Sequence, residues 1–127
     1  MGLQVLVADD SRIFRVLVRE VLAELGATVF EASTGKEALD NALGLRPELL
    51  ILDALMPQLS GFEVITKLRE KAPQYRPKIF VVTAVYKSYR WESETKSVYQ
   101  VDEYLEKPLE PETLIKAVHR HFPELAG

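Results

Sequence analysis

The chain has 127 residues, 47% of them hydrophobic, enough for one domain around an ordinary interior. A net charge of −3 leaves no electrostatic footprint for nucleic acid or a membrane surface, so no direct nucleic-acid partner is expected. Cysteine is absent, which excludes disulfides and thiolate zinc sites and suits a reducing cytoplasm, the expected location.

The opening MGLQVLVADD has its apolar run cut by acids. It is too short for a signal peptide and far too short for a membrane span, and no later stretch reaches that length either, so no membrane insertion is expected. Leu3 to Ala8 (LQVLVA) is nearly all apolar, the pattern of a parallel strand buried on both faces. Phe14, Leu17, Val18, Val21, Leu22 and Leu25 then form one face of an amphipathic helix, closed by Gly26. Thr28 to Ala32 is a second strand. Thr34 and Glu37 are spaced as a capping box, ahead of a buried stripe of Ala38, Leu39, Ala42 and Leu43. Glu48 to Asp53 (ELLILD) is the third and most apolar strand. Ser60 and Glu63 repeat the capping-box spacing, opening a helix whose predicted inner face is Phe62, Ile65 and Leu68. Lys78 to Thr83 (KIFVVT) is the fourth strand. Residues 85–101 lack a clean helical period and predict a long loop with a short, poorly formed helix. Glu103 to Leu105 is a short fifth strand. Pro111 opens a last helix, predicted to bury Ile115, Val118 and Phe122 before Pro123 stops it.

Five strand–helix units in alternation predict an α/β fold: a five-stranded parallel sheet with helices on both faces. Such sheets bind ligands beyond the carboxyl ends of their strands. That rim is where the polar groups fall. Asp9 and Asp10 end the first strand, Asp53 the third and Thr83 the fourth, and Lys107 follows the fifth. If the first and third strands are neighbours, their acids lie ~5 Å apart. Three such carboxylates repel one another, and a hard divalent cation relieves this; Mg²⁺ is the usual one. A phosphoryl group could complete its shell, and Lys107 and Thr83 would then bind the remaining oxygens. The set is thus a carboxylate nucleophile, a metal site and two oxyanion partners. Solvated loop acids would explain any one of these residues, but not five complementary groups on one rim.

These residues lie in four motifs: DDS (Asp9 to Ser11), DALMPQLSG (Asp53 to Gly61), VVTA (ending at Thr83 and Ala84) and DEYLEKP (Asp102 to Pro108). Together they resemble the response-regulator receiver domains of two-component systems, over essentially residues 1–127 as one domain. The resemblance implies a flavodoxin-like fold with strand order 2-1-3-4-5. It implies that Asp53 is the phosphoacceptor. Asp9, Asp10, Asp53 and the Leu55 backbone carbonyl would hold Mg²⁺ or Mn²⁺, and Thr83 and Lys107 would contact the phosphoryl oxygens. Tyr104 matches the aromatic that rotates inward when Thr83 moves, and the Lys107–Pro108 bond is expected to be cis. The implied donor is a sensor histidine kinase or histidine phosphotransfer protein, met by the helix end at Arg12, Ile13 and Phe14; for Phe14 itself, plain core packing is the favoured reading. The implied output is a protein target or homodimer through the fourth-helix region, the fifth strand and the last helix. In that role the chain is no enzyme beyond its own phosphorylation and slow autodephosphorylation.

Two departures fall in the fourth-helix region. Thr83 to Lys107 spans 107 − 83 = 24 positions, slightly long for the family, and Gln100 and Val101 replace the usual Gly-Ala before the last motif. Tyr86, Tyr89, Trp91 and Tyr99 crowd the same region, read first as a cap on the core and second as a partner surface. His119 and His121 do not share a helix face, which argues against a metal role. Among rivals, a haloacid-dehalogenase-like phosphatase needs an aspartate at position 55, where Leu55 stands. A flavin-phosphate module is disfavoured because Asp9 and Asp10 repel a phosphate. A receiver-like interaction module working without phosphorylation is the alternative within the fold. No output domain is expected after Phe122, so the chain is read as either a free-standing regulator or one domain of a larger protein.

Overall fold

The computed structural model describes residues 2–84 and 99–125. The predicted loop and helix, with Tyr86, Tyr89 and Trp91, therefore lie largely outside the described residues. The elements are β1 (Gln4–Ala8), α1 (Arg12–Ala23), β2 (Thr28–Ala32), α2 (Gly35–Leu45), β3 (Leu49–Asp53), α3 (Gly61–Lys71), β4 (Lys78–Thr83), β5 (Glu103–Glu106) and a further helix, here α4 (Pro111–His121). The strands form one parallel sheet in the order β2-β1-β3-β4-β5. This is the expected doubly wound, flavodoxin-like arrangement, with its switch point between β1 and β3.

Side chains alternate between two cores, as the period of two in a strand requires. Val5, Val7, Leu49, Ile51, Phe80, Val82 and Leu105 pack under α1 and α4, with Phe14, Val18, Leu22, Leu114 and Val118. Leu6, Ala8, Leu50, Leu52, Ile79 and Val81 pack under α2 and α3, with Ala38, Leu39, Val64, Ile65 and Leu68. Because β3 is central, all five of its residues are buried.

Local details differ from the predicted ones for identifiable reasons. The Ser60–Glu63 box is complete. At α2, Thr34 caps the Glu37 amide (3.1 Å), but Glu37 reaches one residue further back, to the Ser33 amide (2.9 Å). On α3 the fully buried valine is Val64. Phe62 is half-buried and turned toward Tyr99, its ring centroid 4.7 Å away. On α4, Leu114 and Ala117 join Val118 in the core and Ile115 is half-buried. In both helices the inner face is rotated slightly from the predicted one, because the sheet's twist, not the helix pattern alone, sets which residues meet it.

The chain returns to β5 through a pinned turn. The Arg69 guanidinium donates to the carbonyls of Tyr99 and Gln100. Asp102 accepts from the Ile79 amide through Oδ2 and donates its own amide to the Ile79 carbonyl, both at 2.8 Å. Gln100 between them has φ +55°, the left-handed region where glycine is favoured. The departure from Gly at this position is therefore strained. Gln100→Gly is expected to stabilise the fold by about 0.5–1 kcal/mol, the left-handed penalty less glycine's extra chain entropy. Urea titration of the two proteins measures it; an unchanged or lower midpoint would contradict it.

Candidate phosphoacceptor and cation site

Strand register builds the site. β1 pairs with β3 through Ala8 and Leu52, so Asp9 and Asp53 leave adjacent strand ends side by side. Asp53 also pairs with Val82, which places Thr83 one residue beyond it on the next strand. Lys107 follows β5, and its amide donates to the Thr83 carbonyl at 3.0 Å. The five predicted site residues thus meet at one rim. Asp9 (0% exposed), Thr83 (2%) and Asp53 (8%) are the buried polar side chains among the described residues, while Asp10 is exposed.

The backbone holds each carboxylate by one oxygen. Asp9 Oδ1 accepts from the Ser11 amide (2.8 Å), and Asp53 Oδ1 accepts from the Leu55 amide (3.1 Å). The other oxygens face Lys107, whose Nζ lies 2.7 Å from Asp9 Oδ2 and 3.5 Å from Asp53 Oδ2. Burial raises the Asp53 carboxyl above its ordinary value; the Leu55 amide opposes this, the Asp9 charge adds to it and Lys107 again opposes it. For Lys107, burial works against the charge, but the hydrogen bonds and ion pairs with Asp9 and Asp53 outweigh it, so its pKa is raised. The ammonium also sits over the Phe14 ring, 4.6 Å from its centroid. Phe14 is a buried core residue, as predicted, but the sequence reading missed its second contact. The available signal was its place in the first turn of the helix that follows the acidic pair.

Asp9, Asp10 and Asp53 each bring a carboxylate oxygen within 4.8 Å of the others. Asp9 Oδ2 is fully buried, and its one described partner is the Lys107 ammonium 2.7 Å away, which pairs its charge. An all-oxygen cluster with such a buried anionic atom suits a hard divalent cation. The histidines lie elsewhere. His121 Nε2 is 2.7 Å from Glu103 Oε2, beside the Arg120–Glu103 pair. Tyr104 is half-buried, its ring centroid 6.5 Å from that of Phe62. The Lys107–Pro108 bond is cis.

Two glycines let the rim close. A Cβ on Gly61 would lie 2.5 Å from the Asp53 carbonyl oxygen, and one on Gly35 would lie 2.0 Å from the Leu59 carbonyl oxygen. The start of α3 therefore rests directly on the backbone of Asp53.

Sequence comparison matches the response regulator receiver domain over residues 5–119. The chain is 34% identical to the nitrate/nitrite response regulator protein NarL of Escherichia coli K12 over 118 residues, 91% of this chain and 53% of NarL. It thus spans about half the length of that relative. Among solved structures, the chemotaxis protein CheY4 of Vibrio cholerae superposes with a TM-score of 0.84 at 31% identity, covering 94% of this chain and 98% of that one. The receiver domain of AraT from Geobacillus stearothermophilus gives 0.82 at 35% identity, covering 99% and 97%. The chain belongs to the response-regulator receiver domain family, and its fold and acidic rim are those of a phosphorylation-based signalling switch. Receiver domains work between histidine kinases and downstream targets. None of the described helices is long and apolar enough to cross a membrane.

Proposed function

We propose that Asp53 accepts a phosphoryl group from a sensor histidine kinase or histidine phosphotransfer protein, with Mg²⁺ or Mn²⁺ bound beside it. The observation that carries this reading is the pair of Asp53 oxygens. Oδ1 is held by the Leu55 amide, while Oδ2 faces the rim 3.5 Å from the Lys107 ammonium. Oδ2 is therefore the nucleophile. It attacks phosphorus as the donor nitrogen leaves on the opposite side, and Lys107 and the Thr83 hydroxyl receive the phosphoryl oxygens. Asp9, Asp10, Asp53 and the Leu55 carbonyl are the residues that would hold the cation. When bound, it neutralises the three acids and the incoming oxygens. The chain catalyses no further reaction beyond loss of its own phosphate. The donor meets the start of α1, where Ile13 is 85% exposed beside the acidic rim. The cytoplasm, where such donors act, is the proposed location.

Phosphorylation then reshapes the β5 edge of the sheet. The phosphoryl group brings roughly −1.5 to −2 charge. Thr83 moves to donate to it, and Tyr104 turns into the space released. The surface of β5, α4 and the segment before β5 passes the change to a target or a second copy. The test is incubation with acetyl phosphate, with and without Mg²⁺. Intact mass should show one labile phosphate that needs Mg²⁺ and is absent in Asp53→Asn, and amide shifts should spread from Asp53 to Tyr104. Labelling that survives in Asp53→Asn would refute the assignment. Shifts confined to the rim would refute the switch.

The phosphoryl group is expected to decay slowly. Hydrolysis needs a water in line with the Asp53 oxygen, and a polar neighbour can hold it there. Leu55 is 61% exposed at the mouth of the site and offers no side-chain hydrogen bond. The other flanking residue predicted to border this approach, Val85, lies outside the described residues. Leu55→Asn should accelerate phosphate release several-fold, and adding Val85→Glu should increase it further; equal rates for native and variant proteins would discard the water argument.

A further inference from the structure

We infer that Phe14 is a positioning residue for Lys107: its ring face holds the ammonium at the rim when a cation occupies the acidic cluster. The inference rests, for its functional consequence, on the reading of Asp53 as phosphoacceptor.

Lysine is a compact charge on a flexible four-carbon stem, so its placement depends on what surrounds the ammonium. Here it has three described neighbours: Asp9 Oδ2 at 2.7 Å, Asp53 Oδ2 at 3.5 Å and the Phe14 ring centroid at 4.6 Å. The nearest of them, Asp9, is also a member of the cluster suited to a cation. A divalent ion on that carboxylate repels the ammonium and takes its best partner. Asp53 is shared in the same way. The ring is the one neighbour of the three that a hard cation does not claim, because it binds oxygen ligands rather than an aromatic face. Phe14 therefore keeps the lysine beside Asp53, ready for the phosphoryl oxygens, while the carboxylates are engaged.

The ring is held in place by its own surroundings. Phe14 is 7% exposed and belongs to the core under α1 and α4, together with Leu105 and Leu109, which flank Lys107 in sequence. Its height on the rim is set by the helix cap. Asp9 Oδ1 accepts from the Ser11 amide, and Ser11 Oγ accepts from the Phe14 amide at 3.3 Å. The aspartate that pairs with the lysine thus also sets the register of the helix turn that presents the ring. A leucine would fill much of the same space without the negative ring face.

The test begins with the metal-free protein. The Lys107 side-chain methylene protons should resonate upfield of those of other lysines through the ring current of Phe14. The displacement should persist at saturating Mg²⁺ and vanish in Phe14→Leu. Next, Phe14 is replaced by mono- and trifluorophenylalanine, which keep the ring's shape and weaken its negative face. Phosphorylation by acetyl phosphate should fall stepwise, by roughly tenfold at the last step, a size expected of a desolvated cation–π contact. Unchanged melting temperatures would separate this from unfolding. An ordinary Lys107 spectrum in the native protein, or its collapse to ordinary values on adding Mg²⁺, would overturn the inference. So would a native phosphorylation rate in the trifluoro protein. If the native protein takes no phosphate at all, the reading of Asp53 fails, and the Lys107 resonances still decide whether Phe14 holds the lysine.

Discussion

Replacing Lys107 with methionine is expected to lower the rate of Asp53 phosphorylation by about 10²-fold or more, the usual cost of removing one charge-stabilising donor from a transition state. The same substitution should tighten Mg²⁺ binding, because the ammonium 2.7 Å from Asp9 Oδ2 no longer competes for that oxygen. It should also weaken the metal-free fold. Asp9 is fully buried, and the variant leaves its carboxylate without the described cation that pairs with it. Breaking a buried ion pair from one side costs about 3 kcal/mol, reduced here because Lys107 is itself 20% exposed at the rim. Saturating Mg²⁺ should restore most of the lost stability by binding the folded state. Thermal melts and Mg²⁺ titrations of both proteins measure this. Equal Mg²⁺ affinities would mean that the lysine and the cation do not share the carboxylate.

Gly61→Ala is the second large effect. The new Cβ would meet the Asp53 carbonyl oxygen at 2.5 Å and its carbon at 3.2 Å. Both are backbone atoms at the end of the central strand, so neither can step aside as a side-chain tip would. Either α3 retreats, loosening the hydrogen bond from the Gly61 amide to the Ala54 carbonyl (3.1 Å), or Asp53 moves out of register with Asp9. We expect a loss of about 2–3 kcal/mol, the range for overpacking a rigid site, with weaker Mg²⁺ binding from the shifted carboxylate. Gly44→Ala is the control. Nothing lies within 4 Å of a Cβ there, so that variant should gain about 0.5 kcal/mol of helix stability. If both variants behave alike, the contact with Asp53 is not what requires glycine.

The sheet and the polar residues on its rim were legible in the sequence because both are written in local order. Buried strands read as short apolar runs, helices as stripes, and the functional groups stand at the strand ends, where chain position alone places them. The order β2-β1-β3-β4-β5 came with the family resemblance, and the pairing of the strands bears it out. What periodicity misjudged were choices between near neighbours. It turned Phe62 inward in place of Val64, and it closed the Thr34 box on the wrong amide. It left Ile115 in the core and overlooked Leu114. A rotation of tens of degrees about a helix axis decides such cases, and the partner surface supplies it.

By itself, the sequence determined an alternating parallel sheet and a rim bearing Asp9, Asp10, Asp53, Thr83 and Lys107, since hydrophobic period and strand-end chemistry are properties of contiguous residues. Tertiary structure alone decided that Lys107 lies closer to Asp9 than to Asp53, that the Phe14 ring lies beneath its ammonium, and that Gly61 rests on the Asp53 backbone. Each of those contacts joins separate elements, Lys107 and Asp53 standing 54 residues apart. Differences of less than an ångström between such separations follow from how strands register and helices seat on the sheet, and no local pattern of residues encodes them.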